Sequence, residues 1–188
     1  SDPRDKMANR ANEAIATSLG AIGEAKAVDP LLKLIEESRD NYVVLKAVRA
    51  LGEIGDASAV DDLSEIAINH SNKFMRKNAT VALGEIGHPS AIDALIQMMF
   101  IEYQGVSFYR EASFALYKIG PAAADELLAT MALENEKVND IFEKSGGLKE
   151  SAIKAKCGFV LGDLRDPRAV EPLLEAFKAA ADPNKFDP

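Results

Sequence analysis

A five-residue pattern, Leu-Gly-x-Ile-Gly, recurs along this chain of 188 residues and constrains its fold more than any other feature. Such recurrence, at intervals of about 20–50 residues, is typical of repeat architectures, in which each unit is too small to bury its own apolar face and must stack on its neighbours. Five copies, the last two of them looser, begin at Leu19, Leu51, Leu83, Leu116 and Leu161. The intervals between these leucines are 32, 32, 33 and 45 residues.

The second unit shows what each repeat contains. Its apolar residues recur at spacings of three and four, as in amphipathic helices, in two runs separated by Gly55, a residue suited to the left-handed conformation that ends a helix. Period-two alternation is nowhere sustained, so almost no strand is expected. The sequence therefore predicts an all-α solenoid of about five antiparallel helix pairs in a single domain over residues 1–188. The two apolar runs are Val44, Ala47, Val48, Leu51 and Ile54, and then Val60, Leu63, Ile66 and Ala67.

The intervals divide the chain into repeats at about 8–40, 41–72, 73–104, 105–136 and 148–181. The longer last interval leaves an insertion over 135–147, in which Val138, Ile141 and Phe142 form one small apolar face. We expect a short extra helix or a helix extension there, ending in a Gly-Gly turn. It should project at the edge of the solenoid, because an insertion within the stack would interrupt the packing of repeats. It either forms a lip on a binding groove or is a tolerated surface insertion, and the second is favoured.

Glycine occupies one position inside several predicted first helices, where it costs about 1 kcal/mol relative to alanine. The recurrence predicts that neighbouring helices approach closely at this point. Tyr117 replaces the glycine in the fourth repeat, so helix packing must differ there. The glycines are Gly20, Gly52, Gly84 and Gly162.

Residues 75–87 read Met-Arg-Lys-Asn-Ala-Thr-Val-Ala-Leu-Gly-Glu-Ile-Gly, and residues 166–173 read Asp-Pro-Arg-Ala-Val-Glu-Pro-Leu. Both stretches resemble the short HEAT repeats known as HEAT-like repeats of the phycobilin-lyase type. The resemblance covers about residues 8–181 except 135–150. It implies a right-handed solenoid with the first helices on the convex side and the second helices on the concave side. It implies less about function, because the same solenoid serves as adaptor, lyase and enzyme.

One enzymatic relative, deoxyhypusine hydroxylase, is rejected on particular residues. The resemblance places its iron ligands at His-Glu pairs on the first helices, whereas the matching positions here read Glu-Ala, Leu-Lys, Lys-Asn, Arg-Glu and Ala-Lys. With two histidines and one cysteine, the chain is expected to hold no high-affinity metal and no cofactor. Cys157 occupies a position filled elsewhere by Ala47, Ala79 and Ala112, which favours a packed thiol over a nucleophile.

Charge and hydropathy narrow the class of partner. The chain has 22 Lys and Arg against 30 Asp and Glu, a net charge of −8, which argues against a nucleic-acid partner. No apolar run approaches the roughly 20 residues of a membrane span, so no membrane insertion is expected. The chain starts without Met and has an Asp-Pro pair near each end, which indicates an excerpt of a longer protein. A cytoplasmic location is favoured, and further repeats of the same protein are one candidate partner.

Acidic residues recur at the starts of the predicted second helices. One interpretation is a stripe that binds a cation or a basic ligand, and the other, which is favoured, is a set of first-turn carboxylates that offset the helix dipole. Ser58 and Ser90 stand three residues before two of these positions and predict capping boxes. The acidic positions are Asp29, Asp61, Asp93, Asp125 and Glu171.

The predicted partner surface lies in the middle of the second-helix face. When the second helices are aligned, one position is apolar in the central repeats and charged in the terminal ones, as expected of an apolar patch with a polar rim. Packing between repeats is the alternative. Tyr103 and Tyr109 flank a short link and are further surface candidates, whereas Phe114 and Tyr117, at helical spacing, are candidates for the core. The predicted partner-binding residues are Ile68, Ile96, Phe100, Tyr103, Tyr109 and Leu128.

Two classes of function remain. The favoured one is a non-enzymatic scaffold that binds another protein on its second-helix face. The alternative, implied by the resemblance, is a lyase-like module that holds a tetrapyrrole or another ligand for transfer to a partner protein.

Overall fold

The computed structural model describes residues 3–146 and 149–181, and these residues are almost entirely helical. The predicted all-α solenoid is confirmed. The predicted repeats contain, in chain order, α1 with α2, α3 with α4, α5 with α6, α7 with α8, and α10 with α11, and α9 lies in the insertion between the last two. In chain order the helices are α1 (Pro3–Ile22), α2 (Val28–Glu37), α3 (Asn41–Ile54), α4 (Val60–Asn69), α5 (Lys73–Ile86), α6 (Ile92–Phe100), α7 (Tyr109–Ile119), α8 (Ala124–Met131), α9 (Glu136–Ser145), α10 (Glu150–Leu164) and α11 (Val170–Ala181).

Glycines and short polar side chains set the helix boundaries. Gly55 and Gly87 end α3 and α5 in the left-handed conformation, with φ of 75° and 67°. The carboxylate of Asp56 accepts a hydrogen bond from the Ser58 N–H at 2.9 Å and so begins the 3₁₀ turn before α4. The imidazole of His88 accepts a similar bond from Ser90 before α6. The serines are therefore donors within these turns, and the predicted capping boxes are wrong.

The first helices stack through contacts between glycine and alanine, as the sequence predicted. A Cβ atom on Gly20 would lie 2.8 Å from the Cα of Ala50 in the next first helix, closer than any real side chain allows. The same contact recurs at 2.9 Å between Gly52 and Ala82. Buried residues from Ala16 to Ala169 form one continuous apolar cluster along this stack. Among the described residues, no helix has both the length and the apolar character needed to cross a bilayer.

A small hairpin joins α6 to α7. Its strands, β1 (Glu102–Tyr103) and β2 (Val106–Ser107), pair antiparallel, with Glu102 opposite Ser107 and Tyr103 opposite Val106. Gln104 and Gly105 form the turn, both with positive φ, as tight hairpin turns require. The hairpin folds back towards the start of α5, where the Lys73 ammonium donates to the Gln104 carbonyl at 3.4 Å.

The insertion forms the extra helix that the sequence predicted. Asn135 begins α9 by accepting a hydrogen bond from the Val138 N–H at 3.1 Å, and Gly146 ends it with φ of 61°. The helix lies against α6 instead of projecting freely, because Val138 is buried in the common core. Lys137 fixes it further through a 2.6 Å ion pair with Asp93 at the start of α6. The second glycine of the expected Gly-Gly turn lies outside the described residues.

Candidate functional site: a cleft between α7 and α10

The centre of the predicted partner surface is buried. Phe100 is 4% exposed and Ile96 is fully buried, so the expectation that these two side chains form an open apolar patch is wrong. The cover of Phe100 comes from the same chain. Ile141 of α9 and Lys156 of α10 line one pocket together with Phe100, and the Lys156 ammonium lies 5.3 Å from the centre of the Phe100 ring. Ile68 and Leu128 are only partly buried and stay accessible on the second-helix face.

The two predicted tyrosines are half-buried and already have cationic neighbours. The Arg76 guanidinium lies 3.9 Å from the centre of the Tyr103 ring, and its Nε donates to the His70 carbonyl at 2.6 Å. Burial lowers the pKa of Arg76. The Lys156 ammonium lies 5.3 Å from the centre of the Tyr109 ring. These aromatic faces therefore take part in packing within the molecule.

Cys157 and Lys156 are adjacent on α10 but differ in their surroundings. Cys157 is fully buried, and burial raises the pKa of its thiol to about 12, which keeps it protonated and unreactive at neutral pH. Lys156 donates to the Met99 carbonyl at 2.9 Å, and burial lowers the pKa of its ammonium. This agrees with the sequence-based assignment of Cys157 as a packed residue.

The recurring carboxylates lie in the first turns of the second helices, as the favoured interpretation predicted. Two of them pair with cations of the chain itself: Asp93 with Lys137, and Asp125 with Arg168. In the described ranges no group of three or more His, Cys, Asp or Glu residues is placed to hold a metal ion. These recurring carboxylates therefore stabilise the starts of helices, and two of them also link separate elements of the chain through ion pairs.

The regular stacking of first helices is interrupted between α7 and α10, where an open cleft lies. Where earlier first helices place glycine against the next helix, α7 carries Tyr117, as the sequence indicated. Gly162 of α10 also lines the cleft, and α10 is the last first helix that the structure describes, so a Cβ atom on Gly162 would meet nothing within 4 Å. The cleft has a volume of about 1190 Å³. It is lined by Arg110, Ser113, Phe114, Tyr117, Lys118, Gly120, Pro121, Gly162, Asp163, Leu164 and Arg165.

Two aromatic rings are exposed in this cleft. Phe114 is 62% exposed and Tyr117 50% exposed, so the expectation that their helical spacing made them core candidates is wrong. Their ring centres lie 6.4 Å apart, with 26° between the ring planes, which is a stacked arrangement. The helical spacing is real, but the face that carries the two rings points towards the cleft.

Cations surround these rings. Arg110 precedes them on α7, Lys118 follows Tyr117, and Arg165 ends α10 on the opposite wall. Lys118 forms a 2.9 Å ion pair with Glu85, whereas Arg110 and Arg165 make no ion pair with any described residue. The cleft lining contains three basic residues and one acidic residue, in a chain whose net charge is −8.

Arg165 holds an unusual backbone conformation. It has φ of 55°, the left-handed region, at the position where Gly23, Gly55 and Gly87 end the earlier first helices. A side chain other than glycine costs roughly 1 kcal/mol or more in this region. The two departures from the glycine pattern, Tyr117 and Arg165, both line the cleft. The replacement of two motif glycines, by Tyr117 and by Arg165, was therefore a sequence signal for the site. Only the replacement by Tyr117 led to the prediction of altered packing.

Comparison with protein families gives two matches. The model for HEAT repeats matches residues 29–106, and the PBS lyase HEAT-like repeat matches residues 12–37 and 153–179. Comparison with curated proteins gives no significant match. The matched ranges include the α10 wall of the cleft but stop before α7, so the wall with the two aromatic rings lies where the repeat pattern is weakest.

Proposed function

This chain is a HEAT-like repeat protein, and from that premise we propose that it is a non-enzymatic scaffold that binds a partner protein in the cleft between α7 and α10. The observation that carries the proposal is the exposed pair Phe114 and Tyr117, of which Tyr117 stands where the earlier repeats bury a glycine against the next first helix. Aromatic rings with basic neighbours are enriched at protein interfaces, and they supply much of the binding energy there.

The proposed surface differs from the one expected from the aligned second helices. Partner binding through Ile96 and Phe100 would require α9 and Lys156 to move away, because these now cover Phe100. The cleft requires no such rearrangement. Ile68 and Leu128 remain available for a second, weaker contact on the other face.

Affinity capture from the cells that make this protein tests the proposal. Three baits are compared. They are the wild-type chain, a cleft variant that combines Phe114→Asp with Tyr117→Asp, and the single variant Phe159→Asp. Phe159 lies on α10 and is 72% exposed, but it does not line the cleft, so its variant controls for loss of an exposed aromatic ring. The proposal is supported if the wild type and Phe159→Asp retain a partner that the cleft variant loses. The purified partner should then bind the wild type at one-to-one stoichiometry. If every retained protein binds all three baits equally, the cleft is not a partner site.

A lyase-like module that holds a tetrapyrrole is the second candidate. The match of residues 12–37 and 153–179 to the PBS lyase HEAT-like repeat favours it, and the cleft volume is large enough for such a ligand. Addition of a free bilin with an absorbance readout separates the two candidates. A red-shifted one-to-one complex that Tyr117→Ala abolishes would favour the ligand-holding function over the scaffold.

A further inference from the structure

We infer that the cleft between α7 and α10 binds an acidic peptide segment of the partner, in which carboxylates flank an aromatic or other flat apolar side chain. The inference rests on the proposed scaffold function and names the chemistry of its partner. It is carried by the groups that line the cleft, which are one guanidinium on each wall and an exposed aromatic pair on α7.

The aromatic pair supplies the central contact. Phe114 and Tyr117 present stacked, largely exposed faces, and a flat apolar side chain that packed on them would remove this surface from water. Pro121 and Leu164 add apolar surface beside the rings. A purely polar segment would leave these faces in water, so the peptide needs at least one apolar side chain.

The two arginines supply the flanking contacts. Arg110 lies two helical turns before Tyr117 on α7, and Arg165 ends α10 on the opposite wall. A guanidinium binds a carboxylate through two parallel hydrogen bonds, which fixes orientation as well as charge. Arg168, close in sequence, is already held by Asp166 and Asp125, whereas Arg110 and Arg165 have no such partner among the described residues.

The charge of the whole chain adds selectivity. A protein of net charge −8 repels an acidic segment over most of its surface and attracts it where basic side chains gather. An acidic peptide would therefore bind at this cleft in preference to other exposed apolar positions, such as Phe177 on α11, where Glu171 and Glu175 lie nearby in sequence.

Single-stranded nucleic acid also binds aromatic rings and arginines, but the charges disfavour it here. Such ligands need a continuous basic groove that follows the phosphate backbone. This cleft carries Asp163 within its lining, and Glu85 neutralises Lys118 at its edge. An acidic peptide can place its carboxylates at two separate guanidiniums. A nucleic acid would also place phosphates beside the carboxylates of Asp163 and Glu85, which would repel them.

Selection from a random phage-displayed peptide library tests the inference. The targets are the wild-type chain, Arg110→Glu with Arg165→Glu, and a control with the same change in net charge, Arg10→Glu with Arg49→Glu, at two exposed arginines away from the cleft. We expect the wild type and the control to enrich acidic peptides that contain an aromatic residue. The affinity of a synthesised winner should fall about tenfold or more in the cleft variant, and it should also weaken as ionic strength rises.

The outcomes separate this inference from the proposed function. If the enriched peptides are neutral or basic but still require Phe114 and Tyr117, the cleft is a partner site and the acidic chemistry is wrong. If no enriched peptide depends on the cleft residues at all, both the inference and the proposed site fail. Binding of a labelled oligothymidine that the cleft variant abolishes would assign the surface to nucleic acid instead. Circular dichroism of each variant checks that folding is retained, and the milder Arg110→Gln with Arg165→Gln should lose affinity in the same direction.

Discussion

A Cβ atom on Gly84 would lie 2.6 Å from the Cβ of Ala115, so α5 and α7 are as close as two helices can be without overlap. This contact predicts the effect of Gly84→Ala. Alanine favours a helix by about 1 kcal/mol over glycine, but overpacking at a rigid contact costs about 1–3 kcal/mol. We expect net destabilisation of up to about 2 kcal/mol, measured as a lower thermal midpoint.

Gly162→Ala is the matched control for that change. Gly162 occupies the same motif position on α10, but nothing lies within 4 Å of its would-be Cβ atom. Only the gain in helix propensity remains, so this variant should be slightly more stable than the wild type, by about 0.5 kcal/mol. Equal effects at the two positions would show that the close approach of α5 to α7 does not limit the stack.

The burial of Phe100 predicts the consequence of Phe100→Asp. The substitution places a carboxylate in a site that is 4% exposed, with the Lys156 ammonium 5.3 Å from the centre of the original ring. Burying a charge in an apolar site is among the largest single-residue penalties, and we expect a loss of about 4 kcal/mol in chemical denaturation. Phe159→Asp, at an exposed ring, should change the free energy of unfolding by no more than about 0.5 kcal/mol. A stable Phe100→Asp protein would show that α9 does not hold the second-helix face closed.

The contrast between the motif glycines and Phe100 shows which features could be predicted from the sequence. Helix pairs, chain order and the close contacts at Gly20, Gly52 and Gly84 follow from local periodicity, because each depends on residues within one repeat or the next. The burial of Phe100 depends on Ile141 and Lys156, which are distant in sequence, so an alignment of repeats does not predict it.

The cleft escaped the sequence analysis for a related reason. Phe114 and Tyr117 have the spacing of a core face, and spacing alone does not show whether another helix covers that face. Phe114 lies on a face that is also exposed at Val81 in the preceding repeat, whereas Tyr117 replaces a glycine that is buried there. The replaced glycines at positions 117 and 165 were the available signal, since two neighbouring repeats that each depart from the glycine pattern are not packed like the others.

The thiol of Cys157 provides a prediction for stability against pH. Burial raises its pKa to about 12 in the folded chain, whereas the thiol of the unfolded chain ionises near its ordinary value of 9.0. Below pH 9 the thiol is protonated in both states and has no pH-dependent effect. Between about pH 9 and 12 only the unfolded state releases the proton, so the stability of the fold falls with rising pH, by at most about 1.4 kcal/mol per pH unit.

The measurement compares wild type with Cys157→Ala, which removes the thiol and leaves every other titrating group in place. The stability difference between the two should move in favour of the alanine variant across that pH range. In the native protein the thiol should also react with a disulfide reagent at pH 8 only after denaturant is added. Rapid reaction without denaturant would show that the thiol is accessible and that the burial of α10 is incomplete.

The backbone at Arg165 predicts a variant that gains stability and loses binding. Arg165→Gly restores the residue that ends α3 and α5 and relieves the cost of a side chain at φ of 55°. Part of that gain is offset because glycine makes the unfolded chain more flexible, so we expect a net increase of about 0.5–1 kcal/mol in the free energy of unfolding. The reverse change at an equivalent helix end, Gly87→Arg with φ of 67°, should destabilise by a similar amount.

The same Arg165→Gly protein should bind an acidic peptide more weakly, because one of the two guanidiniums of the cleft is gone. Calorimetric unfolding and titration of a single protein sample measure both effects. Higher stability with unchanged peptide affinity would remove Arg165 from the binding surface, and lower stability would show that its side chain supports the fold.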